Sequence, residues 1–203
     1  MNIRSAVLAL LLACAVSAPV LAKVAIGEPA PDFSLADSNG KTQTLSQYKG
    51  KVVVLEWNNP ECPFVGKHYG SGNMQKQQAD ATGAGVIWLT INSSATGKQG
   101  DLDGAGANAY VAKVDGKQTA YLLDPAGTAG HLYGARTTPH MYVIDQQGVL
   151  RYMGGIDSIA STDKDDLARA TQFVPQVLAE LKAAKAVSVA TSQPYGCGVK
   201  YGS

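Results

Sequence analysis

Trp57-Asn58-Asn59-Pro60-Glu61-Cys62-Pro63-Phe64-Val65 is the stretch on which the reading of this chain turns. Ahead of it runs Val52-Val53-Val54-Leu55, an unbroken apolar segment of the kind a sheet buries on both faces. Behind it the composition turns helical, through Met74-Gln75-Lys76-Gln77-Gln78-Ala79. Cys62 therefore falls where a central strand hands over to a helix. Unpaired backbone N–H groups and the positive end of the helix dipole meet at such a point and favour a thiolate. Pro63 suits a first helical turn, where no N–H is needed. The competing reading makes Cys62 a small buried hydrophobe.

Length and composition bound what surrounds this stretch. The 203 residues suffice for one domain with a proper core. Apolar residues make up 45% and charged residues 16%, the balance of a globular protein rather than a disordered one. A net charge of +1 without a Lys/Arg cluster argues against a nucleic-acid partner. Arg4, the apolar run Ala6 to Val16 and Val20-Leu21-Ala22 read as an export signal cleaved after Ala22, which points to the periplasm. Residues 1–22 are then the signal and residues 23–203 the domain, with no transmembrane segment in the mature chain. Leu11-Leu12-Ala13-Cys14 offers the alternative of a lipid anchor on Cys14. Removal of the signal leaves Cys62 and Cys197 in an oxidising compartment. They form a structural disulfide, a working redox pair or two unrelated thiols; spacing does not choose.

Taken in order, residues 32–35 and 42–45 read as short strands, and residues 45–48 as one helical turn. The helix after Cys62 is expected to break near Gly70-Ser71-Gly72 and resume at Met74. Residues 86–91 read as a second buried strand, 102–114 as a helix, 121–124 as a strand and 127–133 as a short helix. Residues 141–145 and 149–153 form a hairpin about Gln146-Gln147-Gly148. Asp163 to Ala184 carries one apolar stripe and reads as a single long helix, bent at Pro175. The tail from 187 to 203 reads as irregular. Strand, helix, strand, helix, hairpin and closing helix imply an α/β protein, a three-layer α/β/α sandwich with a mixed central sheet.

This pattern resembles the thioredoxin fold, and within it the peroxiredoxin-like branch of the alkyl hydroperoxide reductase/thiol-specific antioxidant (redoxin) family. Glu28-Pro29-Ala30-Pro31-Asp32-Phe33, Trp57 through Tyr69, Thr137 through Asp145 and Pro194 through Tyr201 carry the likeness. The resemblance implies a reactive thiol at Cys62 and a cis peptide at Thr138-Pro139 facing it. Pro60, Glu61 and Pro63 adjoin that thiol; Arg136 and His140 flank the proline loop, to hold an anion or orient a partner or as plain surface residues; Trp57 serves as core packing, as the wall of the site or as both. The resemblance also implies departures. Val65 replaces the second cysteine of Cys-x-x-Cys, and Leu55 and Asn59 occupy the Pro and Thr/Ser positions of the peroxiredoxin peroxide loop.

The chemistry this supports is attack by a Cys62 thiolate on a peroxide or a disulfide, with Cys197 as the resolving thiol and an external thiol as reductant. No cofactor or metal is required. Alternatively Cys197 only staples the tail, or the two sulfurs do not meet. Glu61 opposes the thiolate by its like charge; Lys67 offsets this, and His68 reads as a solvated surface residue. Two other functions fit the same residues. One is a non-catalytic periplasmic binding module. The other is a copper-handling protein with Cys62, His68, His140 and Met141 as mixed ligands, although Gly66 stands where a second copper cysteine would be.

Overall fold

The structure is a computed structural model that describes residues 24–202. The export signal, its cleavage point and Cys14 lie outside the described residues. The chain runs β1 (Ser34–Asp37), β2 (Thr42–Thr44), a 3-10 turn (Leu45–Tyr48), β3 (Val53–Trp57), α1 (Pro63–Gly70), α2 (Asn73–Gly83) and β4 (Ile87–Asn92). It continues through α3 (Gly104–Val114), β5 (Ala120–Leu123), α4 (Thr128–Tyr133), β6 (Thr137–Thr138), β7 (His140–Ile144) and β8 (Leu150–Gly154). A 3-10 turn (Asp165–Ala168), α5 (Phe173–Lys182) and β9 (Cys197–Gly198) complete it.

The main sheet is mixed and seven-stranded, in the order β2-β1-β5-β4-β3-β7-β8. β3 pairs in parallel with β4 and antiparallel with β7, so it lies inside the sheet with neighbours on both edges. Its two faces explain its sequence. Val53, Leu55 and Trp57 join one core layer with Phe33, Tyr142 and the α4 residues Ala129 and Tyr133. Val54 points the other way, into a layer built from Cys62, Val65 and Tyr69 of the α1 region, Met74 and Ala81 of α2, and Val174 and Val177 of α5. Helices thus cover both faces of a thioredoxin-like α/β/α sandwich.

The break between α1 and α2 falls at Ser71-Gly72, where Gly72 takes a φ of +79°. The hairpin β7–β8 turns on Asp145, whose carboxylate accepts from the N–H groups of Gln147 and Val149.

The long helix expected over 163–184 does not exist as one element. Asp157 and Gln172 form a bridge, Ser158 N–H donates to Thr171 O, and Phe173 N–H donates to Ile156 O. Those bonds hold residues 171–173 alongside the segment after β8 and interrupt the helical path. Pro175 is the third residue of α5 and therefore opens the helix rather than bending it, because first-turn N–H groups have no intrahelical partner.

The tail is irregular but docked. Ser192 Oγ accepts from Gly155 N–H, Ala95 N–H donates to Lys200 O, and Tyr201 stacks on His131 with 4.0 Å between ring centroids. β9 pairs antiparallel with β6, placing Cys197 opposite Thr138.

Candidate functional site

Strand β3 ends at Trp57, and the chain turns through Asn58 to Glu61 before α1 begins. Asn59 builds that turn. Its Oδ1 accepts from Glu61 N–H, its backbone carbonyl accepts from Cys62 N–H, and its Nδ2 donates to Gln99 O. Cys62 is the N-cap of α1, in extended conformation, with Pro63 as the first helical residue. The sulfur therefore sits at the positive end of the helix.

Two segments far away in sequence close over it. The Thr138–Pro139 peptide is cis. The Cys62 thiol donates to Thr138 O across 3.1 Å. Cys197, delivered by β9, completes the cover, and Cys62 is only 2% exposed. Both cysteines are free thiols.

Three effects compete at the Cys62 sulfur. Burial is the largest and raises its pKa. Against burial act hydrogen bonding with the Cys197 and Thr138 side chains and with the Val65 and Cys197 backbone, and together they hold Cys62 below the ordinary thiol value. The same pairing acts in reverse on Cys197. Burial and the neighbouring Cys62 push it up to about 11. The two thiols are thus shifted in opposite directions, Cys62 down and Cys197 up.

The other expected site residues divide. Thr138 and Pro139 lie over the sulfur, and Pro63 starts its helix. Pro60 is half-buried in the turn, while Glu61 is exposed. Trp57 is fully buried and points to the opposite face of the sheet from Cys62, packing on Tyr133 and Tyr142 and donating to Ser93 Oγ. It supports the turn from below and does not wall the sulfur. Arg136 is exposed. His140 is buried; its Nδ1 faces Arg136 N–H and the Tyr142 hydroxyl. Burial, assisted by Arg136, depresses its pKa to about 3, so it is a neutral imidazole.

His68 is fully buried, contrary to the expectation of a surface residue. It belongs with Lys67 to a sealed polar cluster around Asp157. Lys67 Nζ lies 3.4 Å from Asp157 Oδ2, and both side chains are wholly buried. The Lys67 charge thus faces Asp157 rather than Glu61. Burial depresses the His68 pKa to about 4, against the pull of Asp157. Asn73 Nδ2 also donates to Gln172 Oε1, which fixes the amide and leaves His68 Nδ1 as the acceptor at 2.8 Å.

Sequence reading missed Glu56. Its carboxylate, fully buried inside β3, accepts from Asn58, Tyr69, Gln78, Trp88 and Thr90. Burial is the chief cause of its raised pKa. A charged residue inside an apolar run was the available signal. Nothing in the sequence pointed to Asp157.

The copper ligand set does not assemble. His140 and Met141 are neighbours on β7 and point to opposite faces of the sheet, and His68 is engaged by Asn73. Among the described residues no cluster of three or more His, Cys, Asp or Glu is placed to hold a metal.

A sequence model of the AhpC/TSA family matches residues 26–153, well over half of the chain. The chain belongs to the AhpC/TSA family. The match stops short of Cys197, so the second thiol lies outside the shared family region. Among relatives, the chain is similar to a chloroplastic peroxiredoxin Q of Triticum aestivum, 32% identical over 140 residues, covering 66% of this chain and 60% of the relative. The chain thus spans about three-fifths of the length of that relative. Among solved structures it resembles a hypothetical protein, SMc02350, of Sinorhizobium meliloti 1021, at a TM-score of 0.74 and 22% identity over 90% of this chain and 97% of the other. It also resembles a putative thiol:disulfide interchange protein DsbE from Chlorobium tepidum. That likeness has a TM-score of 0.52 and 26% identity, over 64% of this chain and 85% of the other. AhpC/TSA membership agrees with the thioredoxin-like sheet. No helix among the described residues is long and apolar enough to cross a membrane.

Proposed function

We propose that this AhpC/TSA-family chain is an exported thiol oxidoreductase that cycles Cys62 and Cys197 between dithiol and disulfide. The observation that carries the proposal is a thiol at a helix start, bonded to Thr138 O, with β9 placing a second thiol, Cys197, opposite Thr138. With a hydroperoxide ROOH, the Cys62 sulfur takes one oxygen to become a sulfenic acid and ROH leaves. Cys197 then attacks that sulfur, forming the disulfide and releasing water. With a small disulfide, Cys62 attack releases one thiolate, and Cys197 attack on the mixed disulfide releases the other. A thiol reductant returns two electrons and two protons in either case.

The near-complete burial of Cys62 favours a small acceptor, which reaches the sulfur with little displacement of the tail. The likeness to a peroxiredoxin Q supports peroxide; the likeness to a DsbE protein supports a disulfide. Export rests on the N-terminal pattern of Arg4, an apolar run and Ala22. The rival, a binding module without redox chemistry, predicts inert thiols.

Mass spectrometry after peroxide, and separately after a small disulfide reagent, tests the proposal. A peptide pair joined through Cys62 and Cys197 is the expected product of one or both. Two thiols that stay fully alkylatable under both oxidants would leave the binding module as the better reading.

A further inference from the structure

We infer that Tyr195 is a positioning residue, holding Cys197 over Cys62 by anchoring the tail in a seat built on the Cys62 helix itself. The inference rests on the dithiol reading above and extends it to a side chain that touches neither sulfur.

Tyr195 precedes Cys197 by two positions. Its hydroxyl donates to Asp157 Oδ1 at 2.5 Å and lies 3.4 Å from His68 Nε2. With Nδ1 of His68 occupied by Asn73, Nε2 carries the proton and points at that hydroxyl. The Tyr195 ring packs edge-on against Phe64, 5.8 Å between centroids, and Lys67 Nζ stands 5.9 Å from its centre. Phe64, Lys67 and His68 all belong to α1, the helix that Cys62 caps.

The spacing of the two segments matches. Five to six residues along a helix cover about 8 Å. Two residues along an extended chain cover about 7 Å. The tail therefore runs back along α1, with Tyr195 over Lys67 and His68 when Cys197 reaches Cys62. Asp157 is 1% exposed, and its second oxygen faces Lys67, so the acceptor for the tyrosine is itself held in place.

A two-residue ladder alone is weak, because each hydrogen bond replaces one made to water and nets little. The Tyr195 seat fixes the approach of Cys197 at a second point. Loss of such positioning slows a reaction between groups that must meet in one geometry. The step affected is the second one, in which Cys197 attacks the Cys62 mixed disulfide and the leaving thiol departs. The first step, attack by Cys62, does not use the seat.

The test adds one equivalent of dithiodipyridine to the reduced protein carrying Cys14→Ser, so that Cys62 and Cys197 are the thiols that can respond. The first thiopyridone released reports Cys62 attack, and the second reports closure by Cys197. In Tyr195→Ala the second phase is expected to slow by roughly tenfold or more, with the first phase unchanged or faster. Tyr195→Phe, which keeps the ring and loses only the bond to Asp157, is expected to fall between. Equal slowing of both phases, or no change in the second phase of either variant, overturns the positioning role. A wild type that releases only one thiopyridone fails at an earlier point: the dithiol reading is lost and the role of Tyr195 with it.

Discussion

Gly196→Ala is the sharpest single perturbation of this site. Gly196 has a φ of +134°, a value side chains rarely adopt, and a Cβ there would stand 2.0 Å from Thr138 O and 2.8 Å from Thr138 C. Both obstructing atoms are backbone, so no rotamer change relieves the overlap. Contact of about 3 Å or more requires the tail and Thr138 to part by roughly 1 Å. Thr138 is tied through Pro139 to His140, the first residue of β7 in the main sheet, whereas β9 is held to it by a ladder of only two residue pairs. That ladder contributes about 2 kcal/mol at roughly 1 kcal/mol per bond, so opening it is the easier response. The variant should lose about 1–3 kcal/mol of stability and keep its main sheet. Each 1.4 kcal/mol is a factor of ten in an opening equilibrium, so Cys62 should become on the order of tenfold more accessible. The assay is the iodoacetamide alkylation rate of Cys62, followed by mass spectrometry and extrapolated to full ionisation to remove any change in its pKa. Disulfide closure should slow in the same protein. A Cys62 alkylated at the wild-type rate, in a variant that closes its disulfide normally, would show that the tail does not cover the sulfur.

Three further expectations follow from the charges and hydrogen bonds. Cys197→Ala removes the thiol that donates to Cys62, so the Cys62 ionisation midpoint, read from ultraviolet thiolate absorbance, should rise; a fixed midpoint refutes the donation. Glu56→Leu leaves five buried donors without their acceptor and should lower stability by about 3 kcal/mol or more in urea unfolding, an effect absent only if those donors re-pair. His68 titrates at about 4 in the fold and near 6.5 when free, so the native state binds fewer protons between these values. Its contribution is present in full above about pH 6.5 and is lost as pH falls to about 4, by about 3 kcal/mol. His140, depressed to about 3, acts in the same direction. Urea midpoints that stay level across this range would contradict both.

The strand, turn and helix around Cys62 were legible because each is a local signal: an apolar run, a Pro at the helix start and a Gly-rich break. The β7–β8 hairpin was legible for the same reason, through alternating residues about Gly148. Long-range contacts overrode local pattern elsewhere. The stripe over 163–184 is genuinely helix-like, but pairing of residues 171–173 with the segment after β8 interrupts it. His68 looks like an ordinary polar helix residue until Asp157, almost ninety positions away, supplies a buried partner for its neighbour Lys67. The tail misled most. It reads only as irregular, yet Gly196 is the residue that allows close contact with Thr138.

The path between the two thiols encloses about two-thirds of the chain. A covalent link from residue 62 to residue 197 would turn most of the folded chain into one ring, leaving only β1, β2, β3 and the first turn outside it. Cross-links spanning so long a segment restrict the denatured ensemble and, in the chain-entropy account, are worth on the order of 5 kcal/mol. Resistance to unfolding would then track oxidation state: a molecule that has just handed its electrons to an acceptor would be the sturdier one, and recharging it by a reductant would loosen its grip on the native state.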